Sequence, residues 1–389
     1  MREDLDFDRD YRGEIGGSFT PGILGMLIEA GAIRLLKGSW VMERARRRDP
    51  IVRRQELPDE AFWPAGDAVR LWGKKGTIDG HRDTHFFCAL SYGWIQQGDP
   101  DRDCFTLGRV GAILAMHLAF FTDRFGLGGD CALFWDFGSL HQMPRSEAEG
   151  LLFRVALRYM QLVYAHWRVT VLRLEALPGG VRRLRDRGWP HLERYAGALK
   201  GSQLTFFTFP DPWEPAGGGD ITDFRAGRPP PLAPAAFGAE LREKQFTFRG
   251  DHATVEQLYR RLWGHQTGAE ELDFAHLDWG PEEGRHLAAA LRTGAFRRLR
   301  ALGVANNPGL GDAAVAELAA ALPPSVEEVN LYATGCGAAG ARALAAAVPG
   351  LARLRELSVG SNPDIGDAGR SSLRGAWAAA GKPDGRLRL

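Results

Sequence analysis

The chain predicts an α/β protein: a parallel sheet flanked by helices, followed by a short C-terminal repeat solenoid. Three observations carry that expectation. Between His81 and Phe209, short apolar runs alternate with helix-length amphipathic runs, the pattern of a parallel sheet with crossover helices. Beyond residue 245, leucine and valine anchors recur at a nearly constant interval, the mark of stacked repeats. Between the two lies Asp211–Pro234, with Pro212, Pro215, Gly217-Gly218-Gly219 and Pro229-Pro230-Pro231, which can propagate neither helix nor sheet. A length of 389 residues exceeds one ordinary core and fits several domains. The expected division is 1–80, an N-terminal extension packed on the next domain; 81–210, the α/β domain; 211–244, a Pro/Gly-rich linker; and 245–389, a capping helix and about four repeats.

In chain order, Arg53–Pro58 followed by Phe62 and Trp63 reads as a packed segment, because disordered tails seldom carry such aromatics. His85–Leu90 is a short apolar strand ending in Ser91-Tyr92-Gly93-Trp94. A helix over Leu107–Phe125 presents Leu107, Val110, Leu114 and Phe121 on one face, and Gly126, Gly128 and Gly129 stop it. Cys131–Trp135 is the second strand, closed by Asp136. Ser146 and Glu149 form a capping box opening a helix on which Leu152, Val155, Tyr159, Leu162 and His166 recur at threes and fours. Val169–Leu174 is the third strand and Gln203–Phe209 a fourth.

The C-terminal part aligns four times on the template L-x-x-L-x-L-x-x-N: Ala269-Leu272-Phe274-Leu277, Leu299-Leu302-Val304-Asn307, Val326-Val329-Leu331-Thr334 and Leu354-Leu357-Val359-Asn362. From Leu272 to Leu302 the step is 30 residues, then 27 to Val329 and 28 to Leu357. Each step has room for one strand and one full helix, and alanine-rich helices are legible over Gly311–Leu322, Gly337–Val348 and Gly366–Trp377. The amides of Asn307 and Asn362 would satisfy backbone groups that the loops leave unpaired. Gln245–Asp251, followed by Val255, Leu258, Tyr259 and Leu262, reads as a cap on the first repeat, and Arg386–Leu389 begins a further strand. This part resembles the ribonuclease-inhibitor type of leucine-rich repeat, also used as the sensor end of immune receptors. It departs from that pattern at Leu277 and Thr334, which stand in the asparagine position.

Charge excludes several partners. With 49 basic and 48 acidic residues interspersed, the net charge is +1, so no global field draws the chain to nucleic acid or an anionic membrane. The local cluster Arg44, Arg46, Arg47, Arg48, Arg53 and Arg54 could grip phosphates or form a solvated face. Cys88, Cys104, Cys131 and Cys336 show no C-x-x-C spacing, so neither a disulfide framework nor a metal site is expected, and a reducing, cytoplasmic setting fits. Met1–Asp10 is acidic, unlike a signal peptide, and Gly22–Leu36 is too short to span a bilayer. Gly73-Lys74-Lys75-Gly76 lacks the spacing of a phosphate-binding P-loop. Ser91 has no nucleophile elbow around it, and His141 and His191 have no companion at metal-ligand spacing.

Four blocks in order, Phe87–Trp94, Phe134–Gln142, Tyr159-Met160 with Val163-Tyr164-Ala165, and Arg187-Gly188-Trp189 with Glu193, resemble the heterokaryon-incompatibility (HET) domain, which is similar in turn to the TIR signalling domain. The resemblance spans His85 to Phe209. It implies a flavodoxin-like sheet whose strand ends hold a nucleotide. In enzymatic TIR domains a glutamate on a helix after the third or fourth strand cleaves the nicotinamide bond of NAD; Glu193 falls on that position. Trp189 matches the tryptophan before it, while Pro190 stands where the family often has cysteine; proline in a first helical turn is harmless, since that amide hydrogen has no partner.

The implied chemistry resembles glycoside cleavage, in which a carboxylate at a pocket rim stabilises an oxocarbenium-like ribosyl centre. Glu193 is the catalytic candidate, with NAD as substrate and no tightly bound cofactor. Ser91 and Tyr92 at a strand's carboxyl end could hydrogen-bond ribose or phosphate. Trp94 and Trp189 could stack on a base, Asp136 could orient a ribose hydroxyl, and Arg145 or Arg187 could neutralise pyrophosphate. Each has another reading: Glu193 in a surface pair with Arg194 or Arg187, the tryptophans in the core, Asp136 as a turn cap. Two functions remain in view. One is an NAD-cleaving signalling or defence protein whose repeats bind a protein ligand; the other is a non-catalytic scaffold in which the domain self-associates.

Overall fold

The computed structural model describes residues 22–72 and 86–389, apart from 97, 99, 127, 128, 167, 201–204, 216–218, 226 and 384. Met1–Asp10, Gly73–Gly76, His81, His85, Gly128, Gln203, Gly217 and Gly218, singled out above, lie outside the described residues. The chain is an α/β protein with two separate sheets and divides into two compact units. One draws on 1–197, 204–224 and 241–262, the other on 198–203, 225–240 and 263–389. The division does not follow the composition boundaries: Leu262, at the end of the expected cap, is fully buried in the first unit's core.

In the first unit the described strands are β1 (Leu36–Lys37), β2 (Phe87–Ser91), β3 (Ala132–Phe134), β4 (Val169–Leu174) and β5 (Phe206–Phe209), in the order β1-β3-β2-β4-β5. All neighbours are parallel except β1, which runs antiparallel to β3. Every residue of β2 and β4 is buried, which explains why they read as continuous apolar runs rather than alternating ones. The chain leaves β2 for β3 on one side and returns to β4 on the other. That reversal is a switch point, where open sheets leave a crevice beyond their carboxyl ends.

Helices α1 (Ile23–Glu29), α2 (Gly38–Arg47) and α3 (Ala65–Trp72) precede β2, and α4 (Phe105–Phe125) links β2 to β3. Gly126 in the left-handed region, φ 66°, ends α4 as expected. Helices α2 and α4 pack together so closely that a Cβ on Gly111 would overlap that of Ala45. Asp136 does more than close β3: it opens a short helix, α5 (Asp136–Ser139). The Ser146–Glu149 capping box starts α6 (Glu147–Tyr159), with both reciprocal hydrogen bonds formed. The helical pattern then continues as α7 (Gln161–Ala165), which packs on α8 (Gly188–Ala196) between β4 and β5.

Residues 22–72 complete this core. Buried Arg54 donates to the carbonyls of Ala32 and Ser139, each at 3.0 Å, and to that of Gly31. Trp63 Nε1 donates to the Cys131 carbonyl at 3.0 Å, and Phe62 is buried. The rest of the arginine cluster is mostly paired locally: Arg46 and Arg47 with Glu43, Arg44 with Asp49, Arg53 with Glu56. Among the described residues one stretch, Phe105–Arg124, is long and apolar enough to cross a membrane, and half of it is buried in the fold.

In the second unit β6 (Glu271–Asp273), β7 (Ala301–Gly303), β8 (Glu328–Asn330), β9 (Glu356–Ser358) and β10 (Leu387–Arg388) pair in sequence order, all parallel. The register places Leu272, Leu302, Val329, Leu357 and Leu387 side by side, so anchors about one repeat apart form a single row, buried at the first four and half-buried at Leu387. Helices Pro281–Arg292, Gly311–Ala321, Ala338–Ala347 and Gly366–Ala379 fill the intervals. Along the strands, Arg300 bridges Glu270 and Glu327, Arg355 reaches Glu327 and Glu328, and Arg386 and Arg388 both meet Glu356.

Two asparagines hold the loops. Fully buried Asn307 accepts from the amides of Leu277 and Trp279 and donates to the carbonyls of Phe274, Val304 and Ala305. Asn362 repeats the arrangement on Thr334 and Cys336 amides and on Leu331, Val359 and Gly360 carbonyls. At the departing position Thr334, the hydroxyl donates to the Leu331 carbonyl at 2.9 Å. Replacing Asn362 by Ala orphans several buried backbone groups at once, so urea unfolding should show a loss of about 3 kcal/mol or more. Asn330→Ala, on an exposed residue of the same unit, should change stability by less than about 1 kcal/mol.

Candidate functional site

The carboxyl ends of β2 and β3 and the helix after β4 bring most of the expected residues together. Ser91, the last residue of β2, is 1% exposed, and its hydroxyl donates to Glu193 Oε2 at 2.6 Å. Tyr92 donates to Asp136 Oδ1 at 2.9 Å and Trp94 Nε1 to Asp136 Oδ2 at 3.0 Å, while the Phe137 amide also donates to Oδ1. Asp136 thus holds the second amide of its own short helix and ties down the loop after β2 in one arrangement. Arg187, at the start of α8, donates through Nη1 to the Trp94 carbonyl at 2.8 Å and through Nε and Nη2 to that of Arg182.

Glu193 lies on the sheet-facing side of α8 and is only 8% exposed. It occupies a buried position rather than an open rim, and the surface pair with Arg187 or Arg194 does not form among the described residues. Burial pushes its carboxyl up to about 8; the Ser91 hydrogen bond opposes this, the Asp136 charge adds to it, and Arg173 and Tyr164 oppose it. Desolvation favours the neutral acid because a charge loses its hydration in the interior. Burial likewise raises Asp136, against its hydrogen bonds from Tyr92, Trp94 and the Phe137 amide. The Tyr92 phenol is pushed upward by burial and by the neighbouring Asp136 charge.

Two expected members lie elsewhere. Arg145 donates to the His141 carbonyl and stacks over Phe153, its guanidinium carbon 3.4 Å from the ring centroid. Trp189 donates to Asp251 Oδ2 at 2.9 Å. Two further residues join the cluster. Tyr164 hydrogen-bonds the Leu90 carbonyl at 3.1 Å and also interacts with Glu193. Arg173, 2% exposed on β4, donates to the Pro190 carbonyl on α8 at 3.1 Å and to Glu175. An arginine inside the apolar run Val-Thr-Val-Leu-Arg-Leu was a readable signal, because such a charge is seldom buried without a specific partner. Tyr164 carried no comparable mark.

His191, also on α8, is driven down to about 3 by burial and by the charges of Lys244, Arg194 and Arg173, so it is neutral at physiological pH. Among the described residues no group of three or more His, Cys, Asp or Glu side chains could hold a metal ion. The arrangement can therefore offer a carboxyl that is easily ionised near neutrality, a hydroxyl bonded to it, and a second carboxyl close by. No protein-family model matches this chain, and no curated protein matches it.

The raised Glu193 pKa links proton binding to folding. Between the ordinary carboxylate value of 4.5 and about 8 the folded state binds more protons than the unfolded one, so its stability falls as pH rises through that window. Glu193→Gln removes this term while keeping an acceptor for Ser91. Thermal denaturation should show the wild type losing stability relative to the variant between pH 5 and pH 8.5, by roughly a few kcal/mol. Parallel pH profiles for the two proteins would contradict the assignment.

Proposed function

We propose that the first unit is a HET/TIR-like domain of flavodoxin-like topology that cleaves the N-glycosidic bond of NAD, and that the second is a short leucine-rich-repeat solenoid recognising a protein ligand. The parallel strand order, the first four of the flavodoxin-like 2-1-3-4-5 with an antiparallel edge strand beside them and no fifth parallel strand among the described residues, supports the first assignment, and the in-register anchors with Asn307 and Asn362 support the second. The observation that carries the catalytic reading is the Ser91–Glu193 pair at the switch point, with Asp136 nearby. The protein then acts in the cytoplasm as a signalling or defence component, able to self-associate through the domain.

In this reaction the bond between ribose C1′ and the nicotinamide nitrogen breaks, and nicotinamide leaves with the bonding pair. The Glu193 carboxylate stabilises the ribosyl cation or attacks it transiently. Water then adds and loses a proton, giving ADP-ribose. The resting carboxyl is largely protonated at neutral pH, and the cationic nicotinamide ribosyl group favours its ionisation. Ser91 holds the carboxyl toward the crevice, and Tyr92 and Asp136 contact ribose hydroxyls. Arg187 lies beside the same loop and balances phosphate charge.

The second reading is a non-catalytic scaffold, favoured by the closure around Glu193, which is almost wholly buried. Nicotinamide release from NAD by concentrated protein separates the two. The wild type should turn over, with kcat/KM rising with pH toward a midpoint near 8, the value set for the free enzyme's Glu193. Glu193→Gln should lower turnover by about 100-fold or more. Absence of turnover at every concentration and pH leaves the scaffold.

A further inference from the structure

The helix that carries Glu193 is held by a stretch that precedes the repeats. Gln245 forms a parallel bridge with Arg187: the Gly188 amide donates to the Gln245 carbonyl at 3.1 Å, and the Gln245 amide donates to the Asp186 carbonyl at 2.8 Å. The Phe246 ring fills the space in front of Gly188, where any Cβ would overlap it. Asp251 then accepts from Trp189 Nε1 at 2.9 Å, and Tyr195 meets Tyr259 edge to face with centroids 6.4 Å apart. Both ends of α8 are therefore held, at Gly188 and Trp189 and again at Tyr195, while Glu193 faces the sheet. Phe246 is half-buried against Gly188, whereas Phe248, two residues on, is 62% exposed.

We propose that Lys244–Asp251 is a strap that sets the position of α8, with Phe246 and Asp251 as positioning residues for Glu193. The proposal rests on the reading of Glu193 as the reacting carboxylate, but the strap has consequences that do not require turnover. Gly188 is the first residue of α8, and its lack of a side chain is what admits the ring. Glycine there costs helix stability relative to alanine, so its presence is explained by the ring it receives. The groups facing the Glu193 carboxyl are Ser91 on β2, Tyr164 on α7, Asp136 after β3 and Arg173 on β4. Loosening α8 moves Glu193 away from these and toward water.

A double-mutant cycle on the full chain tests the strap. Gly188→Ala should lower Tm by several degrees in the wild type, and in the Phe246→Ala background it should be neutral or stabilising. The Glu193 carboxyl band in infrared difference spectra, assigned by its loss in Glu193→Gln, reports position independently of catalysis. In Phe246→Ala and Asp251→Ala its titration midpoint should fall by at least one pH unit; Phe246→Leu, which keeps more of the ring's volume, should shift it less. If Phe246→Ala is too unstable to study, Asp251→Ala and Phe246→Leu carry the same comparison. An unchanged midpoint in Asp251→Ala and the Phe246 variants, or an additive cycle, overturns the strap. If the midpoint shifts but no variant or wild type releases nicotinamide, the strap stands and the catalytic reading fails.

Discussion

The first unit depends on one costly placement, the Glu193 carboxyl held almost out of water against the Ser91 hydroxyl. An acid in such a position is tolerable when neutral or when its charge is met by hydrogen bonds and opposite charge. Here Ser91, Tyr164 and Arg173 favour the ionised form while burial and Asp136 favour the neutral one. The balance lands near physiological pH, where a small change in surroundings moves the proton. Groups poised in this way cluster at functional sites, although structural networks can produce them too. The surrounding fold makes the placement possible: the order β3-β2-β4 brings the end of β2 beneath α8, and α8 turns Glu193 inward onto Ser91.

The second unit solves a different problem, the backbone polarity of very short strands. Three-residue strands leave many amides and carbonyls outside the ladder, and a buried unpaired group is costly. Asn307 and Asn362 each supply one acceptor and two donor hydrogens to converging loop groups. Thr334 reaches one carbonyl, that of Leu331, with its hydroxyl.

Much of this was legible in local pattern. The Ser146 capping box, the helix ending at Gly126, the four buried strands of the central sheet and the repeat anchors all lie close to where the periodicity placed them. The antiparallel edge strand Leu36–Lys37 was not legible, because two residues carry no period. Nor was the membership of 241–262 in the first unit, since Val255, Leu258, Tyr259 and Leu262 announce a buried helix face without saying what buries it. Ser91, Tyr92, Trp94, Asp136, Arg187 and Glu193 converge, whereas Arg145 and Trp189 satisfy other neighbours.

The amino-acid sequence by itself determined the alternation of strand and helix, the repeat interval and the residues that cap and punctuate them. These are set by side chains a few positions apart, through propensity, capping and periodic burial. Only the tertiary structure decided that Glu193 turns inward to Ser91, that Arg173 and Tyr164 stand beside it, and that Phe246 fits the space left by Gly188. Those outcomes sum desolvation, charge and packing over segments far apart in the chain, and no local pattern contains that sum.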